Sequence, residues 1–300
     1  MAVTECGPLS TVIVPRDEYR VLNILDHDRR AIHELNCLAQ SPLHLSTVWP
    51  RGIEILLMHG AQELLNKEDK DGYLPLDYAL KTHNYNASKM LIDAGSPLSL
   101  RTNIGTIRHE DILQYVCIPW EQQPKFFTLV VEALKSRRRR LHEFSKDHLP
   151  PRVWDELELP DNPVLDSNVV RVQRALEDCN IEIPQALRVH KHEATVYHTS
   201  QSYSLTAVNA EHLFDGGFRD IDATNFNGLT PVEYTCLHCH NFTEGLAFIA
   251  WPVGKGADPH NLTTKFHSPK PVSGISGYQF IGKFMARAVP GSIDDKISTR

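Results

Sequence analysis

One cluster of side chains in the sequence has the residue types that bind a metal. Cys236, His238, Cys239 and His240 lie within five consecutive positions, and thiolate sulfur and imidazole nitrogen are the ligands that zinc prefers. A structural zinc site, however, requires paired ligands a few residues apart and a second pair elsewhere, which this spacing does not provide. We therefore expect no bound metal and no other cofactor.

A second cluster is basic. Lys135-Ser136-Arg137-Arg138-Arg139-Arg140 has the composition of a nuclear import signal or of a patch that contacts phosphate groups. At about 100° per residue, the four arginines spread around most of a helix, so they do not form a stripe for nucleic acid. Leu134 and Leu141 place one or two of the arginines beside the buried face, where their aliphatic stems can lie along it. We expect a solvated helix end and no nucleic-acid partner, and nuclear import stays open.

Motifs for catalysis are absent from the sequence. The segment VGKG at 253–256 lacks the upstream glycine and the Ser or Thr that a phosphate-binding loop requires, and the 16 histidines are dispersed. No segment resembles a nucleophile elbow or a zinc-protease helix. We therefore expect a protein that is not an enzyme.

Composition and charge limit the other classes of function. The chain has 300 residues, of which 41% are hydrophobic, and a net charge of −6, which gives no general attraction to polyanions. Its longest apolar runs, such as 246–253, are too short to span a bilayer, and the N-terminus does not read as a secretory signal. The six cysteines follow no disulfide spacing. We expect a soluble, monomeric, cytoplasmic protein without membrane contact.

The elements that position these residues follow from an internal repeat. Pro42 and Pro75 are 33 residues apart, and SPLHLS at 41–46 is similar to LPLDYA at 74–79. A comparable opening occurs at 222–236. Each proline suits the first position of a short helix, and Ser41 and Thr230 are suited to cap one by accepting hydrogen bonds from its first amides. A second apolar helix follows each opening, so each unit must bury its apolar side against a neighbour.

Glycines are predicted to end the helices and to form the turns between units. A glycine at these positions adopts positive φ without steric cost. The glycines expected in this conformation are Gly60, Gly72, Gly95, Gly228 and Gly256.

These phrases resemble the ankyrin repeat, which has a 33-residue period and a T-P-L-H-x-A phrase. The resemblance covers 41–97 and 210–259, with a degenerate copy at 99–120, and it implies an all-α, ankyrin-type helical solenoid in two short blocks with an irregular helical insert. The order of the RRRRL, LPP, NPVLDS and GGFRDID segments also resembles that in uncharacterised fungal ankyrin-repeat proteins. By the same resemblance, the imidazole of His44 ties adjacent turns together.

The predicted organisation has four parts. An N-terminal ankyrin block with a leading helix spans 1–120, a helical insert spans 121–209, a C-terminal ankyrin block spans 210–260, and a tail spans 261–300. Within the insert, 124–144 and 166–179 have the apolar periodicity of helices, with Phe127, Val130, Leu134 and Leu141 on one face of the first.

The resemblance also implies a function and a surface. Ankyrin-type stacks bind protein partners through their projecting turns and first helices, so we expect a partner protein whose identity the sequence does not give. The candidate binding residues are Asp69, Lys70, Asp71, Tyr73, Tyr78 and Lys81 in the first block and Asn225, Phe226, Asn227 and Tyr234 in the second.

Two alternatives remain at this point. The insert could carry an activity for which the repeats position a substrate, and a deep pocket that joins His190, His192, Tyr197 and His198 to the repeats would favour it. The chain could also be a degenerate fragment of a longer ankyrin array, and proteolysis after about residue 260 would favour that.

Overall fold

The computed structural model describes residues 6–98, 112–113, 123–159, 166–189, 195–197, 205–224, 230–238 and 242–257. Among these residues the regular elements are helices, and no strand occurs. The α-helices are α1 Pro8–Ile13, α2 Glu18–His27, α3 Pro42–Leu45, α4 Pro50–Met58, α5 Pro75–Lys81, α6 Tyr85–Asp93, α7 Gln123–His148, α8 Pro151–Glu156, α9 Asp166–Asp178, α10 Ala207–Asp215, α11 Pro231–His238 and α12 Phe242–Gly254. Short 3₁₀ helices occupy Arg29–His33, Ser46–Val48, Ala61–Asn66 and Gln185–Leu187.

The chain divides into two compact units. The first contains Met1–Glu158 and Val172–Val189, and the second contains Leu159–Arg171 and His190–Arg300. Most of the described repeat geometry lies in the first unit.

The predicted repeat is present in the first unit as two successive helix pairs. Helix α3 and α4 form one pair and α5 and α6 form the next, with α3 packed on α5 and α4 packed on α6. Pro42 and Pro75 each occupy the first turn of a helix, where the missing N–H costs no hydrogen bond. The predicted all-α fold class, with ankyrin-type helix pairs at a 33-residue spacing, is confirmed in the described residues.

Glycines end the second helix of each pair as predicted. Gly60, Gly95 and Gly256 have φ of 99°, 95° and 97°, and Gly72 has φ of 81° in the turn between units. An L-residue at such φ brings Cβ close to the backbone carbonyl, so these positions favour glycine. Gly228 lies outside the described residues.

The core of the first unit lies between the paired helices. Ile53 and Leu56 of α4, Leu76 and Leu80 of α5, and Leu91 of α6 are at most 1% exposed. Burying a side chain of this size stabilises a fold by roughly 1.5–3 kcal/mol, so neighbouring pairs stabilise one another.

The insert contributes the long helix α7. Its predicted apolar face is confirmed, because Phe127, Val130, Leu134 and Leu141 are all at most 3% exposed. Helix α9 also forms where the periodicity predicts one.

The predicted position of the basic run was wrong. The run lies in the middle of α7, which continues to His148, rather than at a solvated helix end. Arg137 and Arg138 are 8% and 6% exposed, whereas Arg139 and Arg140 are exposed to solvent. Two of the arginines lie beside the buried face, as the positions of Leu134 and Leu141 predicted.

The second unit contains helix α10 and the pair α11 and α12, and α12 packs on both α10 and α11. Leu213, Phe218, Phe248 and Ile249 are at most 1% exposed and form its core. Among the described residues, no helix is long and apolar enough to cross a membrane. The predicted tail at 261–300 lies outside the described residues.

Candidate interaction surface

The turn between the two helix pairs, residues 69–73, is called the finger turn below. Asp69 holds it from within, because its Oδ1 accepts hydrogen bonds from the backbone N–H groups of Asp71 and Tyr73, each at 2.9 Å. The N–H of Asp69 donates to the carbonyl of Tyr73 at 3.0 Å, which closes the turn. Lys70 donates its N–H to the carbonyl of Leu38 at 2.9 Å and so connects the turn to the preceding one.

The preceding turn has the same hydrogen bonds 33 residues earlier. Oδ1 of Asn36 accepts from the N–H groups of Leu38 and Gln40, and the N–H of Asn36 donates to the carbonyl of Gln40. Sequence reasoning missed Asn36 and Gln40. The signal was available, since an Asn or Asp stands six residues before Pro42, Pro75 and Pro231 alike.

A chain of side-chain hydrogen bonds joins the two turns. Nδ2 of Asn36 donates to Oε1 of Gln40 at 2.8 Å, and Nε2 of Gln40 donates to the hydroxyl of Tyr78 at 2.7 Å. The Tyr78 hydroxyl in turn donates to Oδ2 of Asp69 at 2.6 Å. Burial, with the Asp69 hydrogen bond as the second cause, raises the pKa of Tyr78. Tyr78 is therefore neutral and keeps its hydroxyl proton for Asp69.

His44 makes a second connection between the two successive repeats, as the resemblance implied. Its Nδ1 accepts from the backbone N–H of Ser41 at 3.1 Å, so Nε2 carries the proton and donates to the carbonyl of Tyr73 at 3.0 Å. Burial is the main cause that lowers the pKa of His44, which favours this neutral form. The Ser41 hydroxyl lies 2.9 Å from Nδ1, so it pairs with the ring rather than capping the helix amides as predicted.

The residues that replace His44 in the later copies share half of its role. Oδ2 of Asp77 accepts from the N–H of Leu74 at 2.7 Å, and Oε2 of Glu233 accepts from the N–H of Thr230 at 2.8 Å. Each therefore satisfies the first free amide of its helix, as Nδ1 of His44 does. His44 in addition contacts the next repeat, because its Nε2 donates to the carbonyl of Tyr73.

The structure brings the first-block candidates together on the finger turn and on α5, and it divides them by exposure. Lys70, Asp71 and Lys81 are exposed, and Tyr73 is half-buried. Nζ of Lys81 lies 3.1 Å from the centroid of the Tyr73 ring, in a cation–π contact. Asp69, by contrast, is only 8% exposed and has both carboxylate oxygens occupied within the fold.

The second-block candidates are described only in part. Tyr234 is half-buried on α11, and its N–H donates to the carbonyl of Thr230 at 2.8 Å. Asn225, Phe226 and Asn227 lie outside the described residues.

The residues named for the alternative activity, and the Cys and His cluster that was considered as a metal site, are also described only in part. Tyr197 is 1% exposed, and its hydroxyl donates to the carbonyl of Phe218 at 2.6 Å, which is a structural role. His190, His192 and His198 lie outside the described residues, as do Cys239 and His240. Within the ranges that are described, no three His, Cys, Asp or Glu side chains form a group that could hold a metal ion.

The fold and this surface define a protein of stacked helix pairs whose turns are fixed by side-chain hydrogen bonds. No protein-family model matches the chain, and no curated protein matches it. Among the solved structures that it resembles is the ankyrin repeat domain of Bcl-3, described as a unique member of the IkappaB protein family, at 15% identity and a TM-score of 0.31 over 75% of this chain and 92% of that chain.

Proposed function

We propose that this chain is a non-enzymatic protein-interaction module that binds a partner protein through a rigid surface on its repeats. In the first block the proposed contacts are the exposed side chains of Lys70, Asp71 and Lys81 together with the half-buried ring of Tyr73. Asp69 and Tyr78 support that surface from within.

The observation that carries the proposal is the hydrogen-bonded chain from Asn36 through Gln40 and Tyr78 to Asp69. It fixes two consecutive turns relative to each other, so the backbone that carries the exposed side chains is ordered before a partner arrives. A turn that is ordered in advance loses less conformational entropy on binding.

The chemistry of the surface supports a protein partner. Lys70 and Asp71 present opposite charges on adjacent residues, and Tyr73 presents an aromatic face beside the ammonium group of Lys81. Tyrosine is enriched among the residues that dominate protein–protein affinity.

In the second block, the proposed contacts are Asn225, Phe226, Asn227 and Tyr234. We further propose that the chain acts as a monomer in the cytoplasm. The free cysteines Cys6 and Cys179 suit a reducing compartment.

Affinity capture from cells that express the chain tests the proposal. The double variant Lys70→Glu/Asp71→Lys reverses two exposed charges and keeps the net charge, and we expect it to capture at least one partner about tenfold less than the unmodified chain does. Phe226→Ala is the corresponding variant in the second block.

The matched control reverses an exposed ion pair on α8. Nε of Arg152 and Oε1 of Glu156 are 3.0 Å apart, and Arg152→Glu/Glu156→Arg should leave capture unchanged. If every captured protein is recovered equally with the finger-turn variant and with the control, the proposed surface is wrong.

A further inference from the structure

A cavity of about 360 Å³ lies between α6 and α7 in the first unit. Helix α7 forms one wall with Leu129, Ala133, Ser136, Arg137 and Arg140. Each of these residues has another of the set three or four positions away, so they lie on one side of the helix. The sequence suggested that the arginines spread around α7, but this spacing brings Arg137 and Arg140 to the same cavity, and Arg139 also lines it.

The opposite wall comes from α6 and the turn after it. Lys89, Ile92, Asp93 and Ser96 line this side and again follow helical spacing. The backbone N–H groups of residues 94–96 donate to the last carbonyls of α6, which reduces the negative potential that a helix C-terminus would otherwise direct at the cavity.

The charge of the lining is positive in a chain that is negative overall. Asp93 is held by Lys89 at 2.5 Å, and Glu132, the other acidic residue of the lining, is held by Lys135 at 2.9 Å. Both carboxylates are therefore neutralised locally, whereas Arg139 and Arg140 bring positive charge to the cavity.

The arginines differ in exposure in a way that suits anion binding. Arg137 is 8% exposed, so water screens its charge less than it screens the charges of Arg139 and Arg140, which are exposed. Neither Arg139 nor Arg140 has an ion pair with another side chain in the described ranges. A bound anion would therefore meet two guanidinium groups that are not neutralised by a carboxylate, beside the buried guanidinium of Arg137, whose Nη1 donates to the carbonyl of Arg188 at 3.4 Å.

Ser96 supplies a neutral polar group to the same lining. It is 3% exposed, and its hydroxyl has no hydrogen-bond partner in the part of the chain that the structure describes. A buried hydroxyl without a partner destabilises a fold, typically by about 1–3 kcal/mol, and a ligand oxygen would relieve that cost.

We propose that this cavity binds a phosphate monoester. Guanidinium groups match phosphate oxygens in geometry and charge, and a dianion suits several arginines better than a single carboxylate does. The volume is within the range that small ligands occupy. The monoester comes either from a free small molecule or from a phosphorylated side chain of another protein.

Isothermal titration of the full chain at constant ionic strength tests this proposal with three probes: inorganic phosphate, O-phosphoserine and a phosphoserine peptide. We expect the double variant Arg139→Gln/Arg140→Gln to weaken O-phosphoserine binding by roughly tenfold or more, because it removes two charge-assisted contacts. Both side chains are exposed, so the variant should stay folded. Arg152→Gln, which removes a charge on α8, should leave the affinity unchanged.

A matched pair of serine variants tests the second wall. Ser88 and Ser96 are both buried, and neither hydroxyl has a partner among the described residues, but only Ser96 lines the cavity. Neither Ser96→Ala nor Ser88→Ala should lower the stability of the chain. Ser96→Ala should weaken phosphoserine binding a few-fold, while Ser88→Ala should not.

The three probes also identify the source of the phosphate. Tighter binding of the peptide than of O-phosphoserine indicates a partner side chain, and equal or weaker binding of the peptide indicates a small molecule. The proposal is overturned if none of the probes binds at concentrations up to about 10 mM, or if the double arginine variant binds them as well as the unmodified chain does.

Discussion

Tyr78 offers the sharpest test of how the finger turn is held. Its hydroxyl is the only link between Gln40 and Asp69 in the hydrogen bonds described above, since it accepts from one at 2.7 Å and donates to the other at 2.6 Å. Tyr78→Phe removes that oxygen and keeps the ring, including its edge-to-face contacts with His44 and Tyr73. The variant therefore isolates the hydrogen bonds from the packing.

The expected loss of stability follows from the two groups that lose a partner. Gln40 is 9% exposed and Asp69 is 8% exposed, so the side-chain N–H of one and the Oδ2 of the other would be left buried. A buried group without a partner costs about 1–3 kcal/mol. Tyr78 is only half-buried, and water can reach part of the vacated space, so we expect the two groups together to cost about 2 kcal/mol.

Urea denaturation followed by circular dichroism measures this loss. With a denaturant dependence of about 2 kcal/mol per molar urea, the midpoint for the first unit should fall by roughly 1 M. Tyr19→Phe is the control, because Tyr19 is 78% exposed and its variant should change the free energy of unfolding by less than about 0.5 kcal/mol.

A double-mutant cycle separates the link from its ends. Gln40→Leu also removes the hydrogen bond to Tyr78, so the combined variant should lose less stability than the sum of the two single variants. A Tyr78→Phe variant as stable as Tyr19→Phe, or strictly additive losses in the cycle, would show that the bonds between Gln40, Tyr78 and Asp69 do not hold the turns together.

Two further predictions concern His44 and two glycines, Gly52 within α4 and Gly60 just after it. Because burial lowers the pKa of His44 below its ordinary 6.5, the native state binds fewer protons than the unfolded chain, and stability should fall as the pH drops below about 6.5. When Nδ1 is protonated, it cannot accept the hydrogen bond from the N–H of Ser41. Between about pH 7.5 and pH 5, the urea midpoint should therefore fall more for the unmodified chain than for His44→Gln. Parallel pH profiles of the two midpoints would contradict this role of His44. Gly52→Ala should lower the free energy of unfolding by about 1–3 kcal/mol, because the added Cβ would overlap the Trp49 ring. Gly60→Ala should lower it by about 1 kcal/mol, because only its φ of 99° disfavours a side chain. Replacement by Asn, which tolerates positive φ, should recover part of the loss at Gly60 but not at Gly52, and equal behaviour of the two Asn variants in thermal unfolding would refute the distinction.

The features that the sequence by itself determined are those set by neighbouring residues. Pro42 and Pro75 begin helices because their fixed φ suits the first turn, and Gly60 and Gly95 end them because positive φ costs glycine nothing. The buried face of α7 was also readable, since residues three and four apart share one side of any helix. The 33-residue spacing then required the helix pairs to stack, because a single pair cannot cover its apolar side.

The tertiary structure alone decided which polar groups meet. Tyr78 was expected on the outer surface, yet it is half-buried. Its hydroxyl accepts a hydrogen bond from Gln40, which is 38 residues away and belongs to the preceding repeat. The burial of Arg137 and the cavity that it lines likewise depend on where α7 rests against α6. Local periodicity sets the face on which a side chain lies, whereas its partner is set by the distance and rotation between stacked helices, which arise only when whole units pack together.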